Sequence, residues 1–185
     1  QLESFGLGDD ADVIVSIVPC GKNLYVFKRH STHVITPNPD PQTKEFFSAD
    51  ILSNEGTVGP KAVACESGVA FFFDSEKGVM ALAPDGSMDW IFEPLYPLIT
   101  EGQINPLAMR EIAMGVCHKR LYVSVPMGTA TKNTDTFVYD FKVGGWTRDK
   151  YGIDCFLDWK PTLRKSGCIS VVSSPCATLA LLDTI

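Results

Sequence analysis

The residues of this chain that are able to do chemistry are few and scattered. His30 and His33 form a His-x-x-His pair, a spacing used by metal ligands, but no third ligand lies near them in sequence. They are read as polar residues of a turn. Asp9, Asp10 and Asp12 crowd one loop, which lacks the ligand spacing of a calcium-binding loop and is read as solvated and acidic. The six cysteines are Cys20, Cys65, Cys117, Cys155, Cys168 and Cys176, with no Cys-x-x-Cys and no zinc-like spacing. Nothing in the chain indicates export, so they are expected to be free thiols filling small buried spaces. His118 adjoins Cys117, yet neighbours on a strand point to opposite faces, which leaves that thiol without a base. There is no Gly-x-Ser-x-Gly, no phosphate loop and no dinucleotide fingerprint. The expectation is a non-enzymatic chain with no catalytic residues, no metal site and no cofactor.

The elements that position these residues are better defined. Ser67–Gly86 reads as two strands joined by a tight turn. Val69–Phe73 is apolar throughout, as in a strand buried on both faces, Asp74–Gly78 supplies the reversal, and Val79–Ala83 runs back to Pro84-Asp85-Gly86. One hairpin cannot bury its own face. The pattern recurs at Asn23–His30 with His33–Pro37, at Leu121–Pro126 with Thr136–Phe141, and at Ile169–Ser173 with Thr178–Leu182. The leading strands start near Leu24, Val69, Leu121 and Ile169, which are 45, 52 and 48 residues apart. An apolar run precedes each hairpin: Val13–Cys20, Lys61–Glu66, Ile112–His118 and Cys155–Lys160. A more polar run follows the first three: Lys44–Ile51, Met88–Phe92 and Gly145–Lys150. A repeat of about 40–50 residues with four antiparallel strands, the outermost most polar, is the pattern of propeller blades. The fold class expected is therefore all-β, a β-propeller of four-stranded antiparallel blades. About four are present, in units of approximately 12–56, 57–106, 107–153 and 154–185, with 1–11 as the tail of a preceding unit. Evenly spaced strands of an ordinary β-sandwich are the alternative.

Composition sets the bounds. The chain has 185 residues, 45% hydrophobic and 21% charged, enough for one sizeable core. A net charge of -6 argues against nucleic-acid binding through a broad basic surface. No apolar run approaches the roughly 18–20 residues of a membrane span. The absence of an initiating Met suggests a processed or partial chain.

Pro94–Pro106 is the longest irregular stretch, with three prolines and one glycine. It carries Leu95, Tyr96, Leu98, Ile99 and Ile104, an apolar set suited either to its own blade or to a partner chain, and these five are the candidate partner contacts. The Ala and Met content of Leu107–Met114 allows a helical turn or two, but the reading preferred is a loop leading into an inner strand; Met127–Asp135 is read as an exposed, mobile hairpin tip. Trp146 is expected to pack between adjacent blades, and Trp90 occupies the same outer-strand place one unit earlier.

The phrases Leu24-Tyr-Val-Phe-Lys28, Gly68-Val-Ala-Phe-Phe with Lys77-Gly-Val-Met80, Leu121-Tyr-Val-Ser-Val-Pro126 and Phe137 to Thr147 resemble those of β-propeller proteins of bacteriophage particles. The likeness spans roughly residues 12–183, and its motifs report blade geometry more than function. It carries over no catalytic residue. It implies a virion location and a structural role in the neck or tail, as a ring or nozzle component. Its implied partners are other virion proteins and further copies in a homo-oligomeric ring, without sequence-specific nucleic-acid binding or a membrane span. The chain stops after the third strand of its fourth unit, so either Gln1–Phe5 closes the ring as the missing strand or the chain is part of a larger propeller, the reading preferred because closed rings usually have more blades. A propeller enzyme or glycan-binding module using loops on one face, or a cellular kelch- or WD-like adaptor, are the other functions open to such a sequence.

Overall fold

The computed structural model describes residues 11–37, 47–159, 167–172 and 179–181. Within them the chain is all-β, built as four sheets in sequence order. The first contains β1 (Ile14–Cys20), β2 (Asn23–Lys28), β3 (Thr32–Pro37) and β4 (Phe47–Ser53). The second contains β5 (Val63–Glu66), β6 (Val69–Asp74), β7 (Gly78–Leu82) and β8 (Met88–Trp90). The third contains β9 (Ala113–Cys117), β10 (Arg120–Val125), β11 (Asp135–Asp140) and β12 (Gly145–Asp149). The fourth contains β13 (Ile153–Trp159), β14 (Gly167–Val172) and β15 (Leu179–Leu181). Every strand pairs antiparallel with its sequence neighbour inside its sheet. Leu24, Val69, Leu121 and Ile169 all fall on the second strand of their sheets, as their spacing required.

The sheets are layered, and alternation along β6 shows how. Ala70 and Phe72 join Met80 and Leu82 in a core shared with Cys20, Tyr25, Phe27 and Val34 of the first sheet. Phe71 and Phe73, pointing the other way, join Val79 in a core shared with Met114, Leu121, Val123, Val125 and Phe137 of the third. Successive side chains on a strand alternate in direction, so an uninterrupted apolar run belongs to a sheet covered on both sides. This is why Val69–Phe73 has no polar position. The third sheet in turn meets the fourth through Tyr122 and Phe156, whose rings lie 6.2 Å apart. Gly115 makes that approach possible: a Cβ there would collide with the Phe156 ring. The first strands follow one another, β1 packing on β5, β5 on β9 and β9 on β13.

The cysteines correct the expectation of free thiols. Cys20 at the end of β1 and Cys65 in β5 are joined by a disulfide, with Cα atoms 5.8 Å apart. Cys117 is also disulfide-bonded, while Cys155 is free. The reason is the adjacency of the first strands, which brings their ends within bonding reach although 45 residues separate them.

Two loop expectations also change. Pro106–Glu111 is a 3-10 helix, not an open loop. Pro106 occupies its first turn, where a missing N–H costs nothing, and the Asn105 side chain caps it by accepting from the Leu107 N–H at 3.0 Å. The segment between β10 and β11 is only partly an exposed tip. Met127 pairs with Ile104 and packs on the core, and Asn133 is buried.

Candidate anion-binding cleft

A cleft of about 440 Å³ opens beside the β2–β3 turn, lined by Arg29, His30, Val58, Ser75, Pro106, Leu107, Met109 and Arg110. Its walls come from four places in sequence: the β2–β3 turn, the connector from β4 to β5, the β6–β7 turn and the 3-10 helix Pro106–Glu111. The connector Gly56-Thr57-Val58-Gly59 locks these parts together. A Cβ on Gly56 would strike the backbone of Arg29, and one on Gly59 the backbone of Arg110. The Thr57 N–H donates to the Lys28 carbonyl at 2.9 Å and the Val58 N–H to the Phe73 carbonyl at 3.0 Å. Arg29 and Arg110 are thereby held on either side of a four-residue bridge whose two glycines have no substitute.

The turns that frame the cleft are tied down by side chains. Asp74 is buried, and its Oδ1 accepts from the N–H groups of Glu76 and Lys77 at 2.8 and 2.9 Å. Lys77 pairs with Glu55 at 2.5 Å, an attachment that raises the lysine pKa. On the other turn, Asp12 accepts from the His30 N–H at 3.1 Å and from Ser31 Oγ at 2.7 Å, and His33 Nε2 lies 3.2 Å from the same Oγ. The hydroxyl has one proton and gives it to Asp12, so the imidazole is placed to donate to Ser31, not to take its proton. This Asp-Ser-His chain is therefore arranged to hold the turn. Burial, reinforced by the nearby Lys28 charge and opposed by Asp12, pushes the His33 pKa below its ordinary value of 6.5. His30 faces the cleft while His33 is buried in β3, so the two do not act as a pair. Among the described residues no group of three or more metal-ligating side chains converges. Asp9 and Asp10 lie outside the described residues.

Arg29 and Arg110 differ from four other cations of the described residues, of which Lys77 is paired as given above. Lys61 pairs with Glu111 at 3.3 Å, Arg120 with Asp140 at 3.0 Å and Arg148 with Asp135 at 2.8 Å. Among the described residues neither cleft arginine has a carboxylate partner. Both are exposed, as is Leu107, 95% accessible at the rim. None of these residues stood out in the sequence. A lone arginine in a turn has no signature, and the two meet only because the connector crosses between them.

The five candidate partner contacts separate into three kinds. Ile104 is fully buried in the chain's own core, which withdraws it from any partner contact. Its N–H donates to the Leu98 carbonyl at 2.9 Å, and it pairs with Met127, so the segment folds back on its own sheet. Leu95, Leu98 and Ile99 are half-buried against the same core. Their short elements, a 3-10 turn at Glu93–Leu95 and α1 at Pro97–Thr100, carry them there. Tyr96 is exposed and meets Trp90 edge-on, with ring centroids 5.1 Å apart.

The two outer-strand tryptophans part company as well. Trp146 in β12 bridges sheets as expected. Its indole N–H donates to the Ile91 carbonyl at 2.9 Å, and its ring meets Phe92 at 5.5 Å. Trp90 stays within its own sheet, donating to the Lys77 carbonyl at 2.6 Å. No protein-family model matches the chain, and no curated protein matches it in sequence.

Proposed function

We propose that the chain is a blade-bearing part of a β-propeller that acts as a non-enzymatic structural element of a phage particle, in the neck or tail, contacting other virion proteins and further copies of itself. The observation that carries this reading is the succession of first strands, β1 on β5 on β9 on β13, with each sheet's strands following outward in order and neighbouring sheets face to face. A radial array of blades around an axis has this arrangement, whereas two facing sheets would pair only once. The disulfide between Cys20 and Cys65 suits a particle surface, an environment in which such bonds persist. A structural role is favoured by where the polar side chains are spent: Asp12, Ser31, Asp74 and Asn133 hold turns and connectors. The particle assignment itself rests on the resemblance of the strand phrases to phage propellers.

The test is to purify particles that encode this chain, identify it among their proteins by mass spectrometry, and map cross-links from it. Cross-links to neck or tail neighbours and to other copies are expected. Particles that lack the chain overturn the virion reading.

A further inference from the structure

We propose that the cleft between the β2–β3 turn and the 3-10 helix Pro106–Glu111 binds an acidic peptide segment of a partner protein, one presenting a Glu or Asp carboxylate beside an aliphatic side chain. This rests on the reading of the chain as an interaction element and names the chemistry of one contact. Three observations carry it. First, charge: in a chain of net charge -6, Arg29 and Arg110 line one cleft together, and neither has a carboxylate partner among the described residues. An arginine fork matches a carboxylate with two parallel hydrogen bonds. Second, apolar surface: Leu107 stands 95% exposed on a capped, proline-started helix, with Val58, Pro106 and Met109 beside it. A rigid aliphatic rim next to two cations complements an acidic side chain flanked by an aliphatic one. Third, preorganisation: the Gly56–Gly59 bridge pins the backbones of both arginines, so binding has to order their side chains but not the chain that carries them.

The lining argues against two other ligands. Among its residues there is no Trp, Tyr or Phe on which a sugar ring would stack. A phosphate or sulfate would use the arginines but leave the aliphatic rim idle.

The experiment uses the whole chain in solution, labelled for amide NMR. The probes are a capped hexapeptide of alternating Glu and Leu, the same peptide with Gln for Glu, inorganic phosphate, and a sulfated disaccharide. The expected result is that the Glu peptide alone shifts the amides of Arg29, Leu107 and Arg110, and that 500 mM salt weakens it several-fold. Arg29→Ala and Arg110→Ala should each lower its affinity about tenfold, the change expected from losing one charge-assisted hydrogen bond. Both side chains are exposed, so circular dichroism should not change. Equal binding of the Gln peptide, preferential binding of phosphate or the disaccharide at these residues, or no binding at all overturns the proposal. Failure here leaves the particle assignment standing. A chain absent from particles that still binds the peptide leaves the cleft standing and removes the virion.

Discussion

Cys20 and Cys65 join the first strands of two adjacent sheets through a disulfide that closes a span of 45 residues. It sits where the sheets meet along β1 and β5, the same border at which Phe27 and Phe72 pack with ring centroids 5.1 Å apart. A cross-link of this span restrains the unfolded chain by about 4 kcal/mol on the chain-entropy estimate, with measured values usually about 2–4 kcal/mol. A non-reducing digest should release the two cysteines in one cross-linked peptide, and Cys20→Ala with Cys65→Ala should lower the denaturation midpoint accordingly. Free thiols at both positions in the native protein would contradict the bond.

Two threonines do the same task at equivalent places. Thr32 is the first residue of β3 and Thr136 the second of β11, the third strands of their sheets, and both are fully buried. Thr32 Oγ1 donates to the Glu55 carbonyl at 2.8 Å and Thr136 Oγ1 to the Tyr151 carbonyl at 2.7 Å. Each fastens the connector that leaves its own sheet for the next. Thr→Val at either position keeps the shape and strands a carbonyl, which should cost about 1–3 kcal/mol. Urea denaturation of each single variant measures it, and a loss below 0.5 kcal/mol would show that water replaces the bond.

Gly115 and Phe156 set the spacing of the third and fourth sheets. Gly115→Ala should destabilise the protein by about 1–3 kcal/mol through overpacking. Phe156→Leu should relieve part of that loss. Additive effects in the double-mutant cycle would mean that the two positions do not press on each other.

His33 gives a pH dependence. Its folded pKa lies below 6.5 because burial and Lys28 disfavour the imidazolium. The unfolded chain thus binds the proton more readily, and stability rises with pH through the window below 6.5. The contribution is fully present above that value and is lost as pH falls towards the folded pKa. Thermal melts between pH 7.5 and 5.5 should show a falling midpoint. His33→Gln should flatten the part of the curve nearest pH 6.5, and an unchanged curve would assign the slope to other groups.

The Pro94–Pro106 segment has members that pack inward and one that is exposed. Leu98 and Ile99 pack on the chain's own core, so replacing both with Asp should unfold the isolated protein, burying charge at a cost far above that of a surface change. Tyr96 is the exposed member, and Tyr96→Asp should leave circular dichroism unchanged while weakening assembly. Assembly unaffected by Tyr96→Asp would remove this segment from the interface.

Much of the secondary structure was legible along the chain, because strand pairing here is local. Each sheet is built from consecutive strands, so period-2 patterning, turn residues such as Asp74 and Asp140, and the even spacing of Leu24, Val69, Leu121 and Ile169 placed all fifteen strands among the described residues near their observed bounds. The apolar run Val69–Phe73 even announced a sheet covered on both faces. The helix at Pro106–Glu111 was legible only as the second choice, since the composition allows a helical turn but its capping depends on one hydrogen bond from Leu107 to Asn105 that composition does not reveal.

The cleft and the cysteine pairing were not legible at all. Arg29 and Arg110 stand 81 positions apart (110 − 29), and nothing in either neighbourhood refers to the other. They share a cleft because two glycines let a connector pass between their backbones. The sequence by itself determined the strands, their order and their turns, since those follow from interactions within a few residues. Only the tertiary structure decided which cysteines bond, that Ile104 belongs to the core and that two arginines without a carboxylate partner among the described residues face one opening. Such contacts arise between sheets, where proximity depends on how whole layers pack and leaves no local periodicity to read.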